Sequence, residues 1–174
     1  MHQLFLLRHA KAEPGLNEVS DHDRALTARG RFEAGKIGQA MRKAGLAPEV
    51  VLVSTALRTR QTLEELENAQ VWDEWPNIDI LPQLYMATSA QLLNTICDLP
   101  ETVRSAIIIA HNPGLHELAL RLSGGLGLDV NTRQLDEGYP TATLTEFLVA
   151  SRWRQIGQDM TSLKRLLLAA DCKS

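Results

Sequence analysis

Cysteine is nearly missing from this chain. Cys97 and Cys172 stand alone, too far apart for a paired zinc-ligand spacing and too few for a disulfide framework. Aromatic residues are only 5% of the 174, so any core must be mostly aliphatic. No apolar run approaches the roughly 20 residues of a membrane span. The opening run Leu4-Phe5-Leu6-Leu7 is stopped by Arg8-His9, which reads as too short for a secretion signal. Charge of one sign is also lacking. A net charge of −3 offers no general attraction for nucleic acid or acidic lipid, so a site for phosphate has to be local. What remains, 44% hydrophobic and 22% charged residues, excludes disordered and fibrous classes. The length suits a single domain over residues 1–174 with a sizeable core. A cytoplasmic monomer is expected, with no cofactor or metal and neither nucleic acid nor membrane as partner.

Three aliphatic runs share one design. Leu4–Leu7, Val50–Val53 and Ile107–Ala110 are unbroken stretches of strand length, as expected for parallel strands covered on both faces. Weaker strands are predicted over Ile78–Leu81 and Ala142–Val149. Thr27 can cap a helix through Ala44 with an apolar stripe of Phe32, Ile37, Ala40, Met41 and Ala44. Further helices are expected over Ala56–Asn68, over Ser89–Cys97 with Ser89 as cap, and from Pro113 to Leu122. Lys11–Asp23 and the Gly-rich Ser123–Pro140 read as loops, and the apolar tail Ser162–Asp171 as a last strand or helix. Alternation of strand and helix argues a three-layer α/β/α sandwich with a largely parallel central sheet.

Each aliphatic run ends in polar residues: Arg8-His9, Ser54-Thr55 and His111-Asn112. Open α/β sheets place their ligands beyond the carboxyl ends of their strands. Arg58, early in the second helix, adds a further cation near one of those ends. Any one of these residues alone reads as a surface charge or a strand-end cap. Together they suit a phosphoryl group, whose oxygens match planar guanidinium forks and a histidine donor. A neutral imidazole can attack phosphorus. Zinc would need more ligands than two histidines supply. Arg60 cannot share the pocket with Arg58, because residues two apart on a helix point about 200° apart. His22 and His116 are expected to face solvent or pack on helices, and Trp72, Trp75 and Trp153 lack the basic neighbours of a base-stacking platform.

Leu6-Leu7-Arg8-His9-Ala10 resembles the strand-end signature of the histidine phosphatase superfamily. Ser54-Thr55-Ala56-Leu57-Arg58-Thr59-Arg60-Gln61-Thr62 resembles its second motif, and His111-Asn112-Pro113-Gly114 its third. Asp23-Arg24-Ala25-Leu26-Thr27 is similar to the connection into that family's first helix. The Arg-His-Ala and His-Asn-Pro-Gly variants resemble the SixA-type phosphohistidine phosphatase branch. The resemblance implies a phosphoglycerate mutase-like fold and a catalytic pocket of Arg8, His9, Arg58 and His111. In it His9 would become transiently phosphorylated, while Arg8, Arg58 and His111 would bind the oxygens. The implied partner is a phosphohistidine-bearing protein or a small phosphorylated substrate, with phosphate or another oxyanion in the pocket.

Two departures from the family pattern matter. Ala10 replaces the usual glycine, so an ordinary backbone conformation is expected there. Gln83 stands where larger relatives carry a Glu, leaving no general acid at that position. Glu13, Asp21 and Asp23 are alternatives, but each reads better as a surface or helix-approach carboxylate. General acid catalysis is typically worth 10²–10⁴-fold. A labile P–N bond is therefore the expected substrate, ahead of an alkyl ester. A broad small-molecule phosphomonoesterase and a non-catalytic phosphate-binding module remain alternatives.

Overall fold

The structure is a computed structural model that describes residues 1–15, 18–124 and 129–172. Its strands are β1 (His2–Arg8), β2 (Val50–Ser54), β3 (Asn77–Leu81), β4 (Ser105–Ala110), β5 (Leu144–Val149) and β6 (Thr161–Leu167). Its helices are α1 (Ala28–Lys43), α2 (Leu57–Asn68), α3 (Ser89–Cys97), α4 (Gly114–Leu122) and α5 (Val130–Glu137). All six strands form one sheet in the order β3-β2-β4-β1-β5-β6. The β3-β2-β4-β1 part is parallel, β5 runs antiparallel to β1, and β6 antiparallel to β5.

Alternate residues of the aliphatic strands enter two separate cores, so both faces are covered. Phe5, Leu7, Val51, Val53, Ile107 and Ile109 pack with Ala34, Ile37 and Met41 of α1 and Leu63 and Leu66 of α2. Leu4, Leu6, Leu52, Ala106 and Ile108 pack with Leu92, Ile96, Leu115, Leu118 and Leu135 of α3, α4 and α5. Three layers result, as expected. Because β4 lies between β1 and β2, with Leu7 and Val53 both beside Ile109, the three polar strand ends meet at one rim.

Several local expectations need correction. Phe32 is 62% exposed and Ala44 is also exposed, whereas the buried stripe of α1 is Gly30, Ala34, Ile37, Gly38 and Met41. Three of those five residues are small because α1 lies almost in contact with its neighbours. A Cβ on Gly30 would stand 2.0 Å from the Lys11 carbonyl oxygen, and one on Gly38 would stand 2.6 Å from Ala69 Cβ. Helix α3 is capped by Thr88, not Ser89, through a reciprocal pair with Gln91. The stretch expected to be loop contains α5, capped by Asp129, whose side chain accepts from the Asn131 and Thr132 amides. The glycine-rich part at 125–128 lies outside the described residues. The tail forms β6, and Trp153 is fully buried.

Close packing at Gly30 generates a paired prediction. Gly30→Ala forces its methyl onto backbone and should cost roughly 1–3 kcal/mol in urea unfolding. Gly35→Ala, on the same helix with nothing within 4 Å of the added Cβ, should be neutral or stabilise by roughly 0.5–1 kcal/mol. Equal effects at the two positions would contradict the packing account.

Candidate active site

At the rim of the parallel strands lies an open pocket of about 270 Å³. Arg8, His9, Arg58 and His111 all line it, and Lys11 and Asn112 extend its wall. The four residues expected from the strand ends are thus brought together. Arg60 is exposed on the other side of α2, whereas Arg58 is 2% exposed.

His9 is tied down on all sides. Its amide donates to the Ala110 carbonyl at 3.2 Å, and its carbonyl accepts from the Ala142 amide at 3.2 Å. In the ring, Nδ1 lies 2.8 Å from the Ala10 carbonyl oxygen. A carbonyl can only accept, so Nδ1 carries the proton and Nε2 keeps its lone pair. Arg58 Nε donates to that Nε2 at 3.3 Å. Ala10 is not among the residues of positive φ, as expected for alanine in place of glycine, and its amide donates to Thr62 Oγ1 at 3.0 Å.

The Arg58 guanidinium is the hub. Beyond His9, its Nη1 donates to the Asp21 carbonyl oxygen at 2.6 Å, and its Nη2 to Asp21 Oδ2 at 3.1 Å. Nη2 also lies 3.3 Å from His111 Nδ1, which must then accept, leaving the proton of His111 on Nε2, 2.8 Å from Ser54 Oγ. The imidazoles of His9 and His111 are 5.2 Å apart between centroids. Arg8 reaches the rim from β1, where its Nη1 donates to the Tyr139 carbonyl at 2.8 Å. Asn112 Nδ2 donates to the same oxygen at 2.9 Å.

Burial sets the protonation states. Desolvation pushes the His9 imidazole down to about 4, with Arg58 and Arg8 nearby adding to the effect and the Ala10 carbonyl opposing it. Desolvation, followed by the charges of His9 and Arg58, pushes His111 down to about 3. Both rings are neutral at physiological pH. The arrangement sets a neutral imidazole, its Nε2 lone pair on Arg58, in the wall of a pocket whose charged groups are mainly cations, which suits a bound oxyanion.

Several contributors were not legible beforehand. Asp21, read from sequence as a surface or helix-approach carboxylate, lines the pocket and grips Arg58. Its pKa is held down to about 2, first by the Tyr85 hydroxyl and then by Arg58 and Arg24. Tyr85 donates to Asp21 Oδ2 at 2.6 Å and stands perpendicular to the His111 ring with centroids 5.5 Å apart. Gln83 is exposed and does not line the pocket, while Glu13 and Asp23 do not line it either. His22 is half-buried beside the site, with Nε2 2.9 Å from Thr55 Oγ1 and its ring against Tyr85. His116 packs on Tyr139 and bonds the Leu135 carbonyl. Met86 and Ala142 hold positive φ beside the pocket, a conformation with no sequence signal in non-glycine residues. Trp72 and Trp75 line a separate hollow near Glu67 and Asp73. Among the described residues, no three His, Cys, Asp or Glu side chains converge as a metal-holding group, and no helix is long and apolar enough to cross a membrane.

Comparison with known proteins places this geometry. The sequence profile described as the histidine phosphatase superfamily (branch 1) matches residues 4–84. Phosphohistidine phosphatase SixA of Escherichia coli is 30% identical over 125 residues, 71% of this chain and 75% of that one. An uncharacterised protein of Mycobacterium tuberculosis, Rv1276c, is 32% identical over 152 residues, 86% of this chain and 91% of that one. A candidate SixA from Agrobacterium tumefaciens superposes with a TM-score of 0.80 at 28% identity, over 95% of this chain and 97% of the other. A protein histidine phosphatase SixA complexed with tungstate shares the fold, with a TM-score of 0.77 at 22% identity over 98% and 99% of the two chains. The ordered motifs, the sheet topology and these relatives agree: the chain is a phosphatase that belongs to the histidine phosphatase superfamily, on its SixA-type branch.

Proposed function

We propose that this phosphatase hydrolyses phosphohistidine through a covalent phosphohistidine intermediate on His9. The observation that carries the reading is the Nδ1–H bond from His9 to the Ala10 carbonyl, which leaves the Nε2 lone pair for attack once a bound phosphoryl group takes the Arg58 Nε donor that it now accepts from. Arg8, Arg58 and His111 bind the phosphoryl oxygens, His111 in its neutral Nδ1–H tautomer, in which Nε2 has given up its proton and accepts from the Ser54 hydroxyl. Ser54 Oγ beside Nε2 is placed to support that tautomer. His9 Nε2 bonds to phosphorus as the leaving group departs with the P–N electron pair. The phosphorylated ring keeps its Nδ1–H on Ala10, so it leaves without needing an external acid when water attacks.

Support for a nitrogen-linked substrate comes from the acids the site lacks. Gln83 is exposed and outside the pocket. Asp21 is held ionised, and its bond to Asp21 pushes the Tyr85 hydroxyl up, so neither is poised to protonate an alkoxide near neutral pH. A phosphorylated protein is the partner this reading favours, since the pocket is open at the rim. The E. coli relative is itself named a phosphohistidine phosphatase.

Phosphate release from a phosphohistidine-bearing protein and from p-nitrophenyl phosphate tests the reading. The wild type should favour the phosphoprotein, and His9→Ala should lower its turnover by about a thousandfold or more. Faster turnover of the ester would instead indicate a small-molecule phosphomonoesterase. A phosphate-binding module would release phosphate from neither.

The pH behaviour follows from the two buried imidazoles. Their NMR signals should stay flat from pH 8 to about 5.5, and a midpoint near 6.5 in either ring would refute the account. Both rings titrate near 6.5 once unfolded, so below that pH the unfolded chain binds more protons. Stability should be full above about 6.5 and decline as pH falls toward 4, seen as a lower urea midpoint at pH 5 than at pH 7.

A further inference from the structure

Among the described residues lining the pocket, Asp21 is the one carboxylate, set among Arg8, Lys11, Arg24 and Arg58. A fixed negative charge beside a bound phosphoryl dianion weakens binding, so its presence calls for a reason. Holding Arg58 is an incomplete one. The Asp21 backbone carbonyl already takes Arg58 Nη1 at 2.6 Å, so the carboxylate is not the guanidinium's sole anchor on that loop. The side chain accepts from Tyr85 at 2.6 Å, Arg24 Nε at 3.0 Å and Arg58 Nη2 at 3.1 Å. A carboxylate offers about four lone-pair sites, so one acceptor site remains on a side chain that is 52% exposed.

We infer that Asp21 is a specificity-determining residue, whose carboxylate accepts the N–H of a nitrogen-linked, protonated imidazole leaving group and so selects phosphorylated imidazolium over phosphate esters, whose leaving groups carry no cation. This rests on the phosphohistidine reading above and deepens it. A phosphoryl group on one ring nitrogen leaves the other free to carry a proton, which makes the ring a cation. The carboxylate pairs with that N–H while His9 Nε2 bonds to phosphorus. The breaking P–N bond returns its electron pair to the departing ring nitrogen. The ring keeps its distal proton, leaves neutral, and no proton has to cross the pocket. The second step mirrors the first. Water oxygen bonds to phosphorus, its proton passes to phosphate or solvent, and the P–N electron pair returns to His9 Nε2. The Ala10 carbonyl plays toward His9 Nδ1–H the part that Asp21 plays toward the substrate ring. For a p-nitrophenyl leaving group, which develops negative charge, the same carboxylate is repulsive.

The experiment measures kcat/KM of wild type, Asp21→Asn and Asp21→Glu on a phosphohistidine-bearing peptide and on p-nitrophenyl phosphate, with thermal melting as the folding control. Asp21 is half-exposed on a short 3-10 turn, so both variants are expected to fold. In Asp21→Asn the peptide-to-ester ratio should fall about tenfold or more, the scale of a charge-assisted hydrogen bond. Its ester rate should rise, and Asp21→Glu should recover part of the ratio. A parallel fall on both substrates would overturn the inference, leaving Asp21 as a holder of Arg58 while the phosphohistidine reading stands. A wild type that cleaves the ester and not the peptide would overturn both.

Discussion

A guanidinium taken out of water has to be paired, and Arg58 is both 2% exposed and charged. Its nitrogens are met by a histidine from the end of β1, a histidine from the end of β4 and the backbone and side chain of Asp21 on the first loop. Together these partners pair the buried charge. The site is therefore rigid where phosphate has to be bound. That same pairing holds the loop against the sheet, and it presents Nε2 of His9 to the pocket.

The scaffold serves that arrangement through spacing. Parallel pairing of β1 and β2 on either side of β4 converges three strand ends, and twofold alternation of side chains buries each strand on both faces. Glycines at 30 and 114 allow the segments around Lys11 and Ala87 to approach the helix starts. The second motif reaches further than its arginine. Gln61 Oε1 accepts from the Leu26 amide and Thr62 Oγ1 from the Ala10 amide, so one helical turn of α2 braces both ends of the connection between β1 and α1.

Burial keeps the two imidazoles neutral, and the Ala10 carbonyl chooses the His9 tautomer. The cations around them suit the pocket to an oxyanion. On the proposed reading His9 then needs no separate base, and an ionised Asp21 suits a substrate whose bond to phosphorus is already weak.

Much was legible in the residues themselves. The three aliphatic runs declared a buried parallel sheet, because only strands covered on both faces read as unbroken apolar stretches. Arg8, His9, Arg58 and His111 stood out because their positions are local: Arg8 and His9 are fixed by the end of β1, His111 by the end of β4 and Arg58 by the first turn of α2. Long-range contacts were not legible. Asp21 and Tyr85 meet across 64 residues of chain, and a lone Asp on a polar loop looks like any solvated carboxylate until that contact exists. Phe32 failed as a core residue and Gly30 and Gly38 succeeded, because close helix packing selects small volume and hydropathy does not report it. Helix α5 was hidden within a glycine-rich stretch, where its cap and single buried leucine gave too little periodicity. Local pattern thus determined the three aliphatic strands and the fold class, and together with the family resemblance it picked out the four pocket residues. The protonation of the histidines, the grip on Arg58 and the place of Asp21 were decided by tertiary structure, since burial and hydrogen-bond partners exist only once distant segments meet.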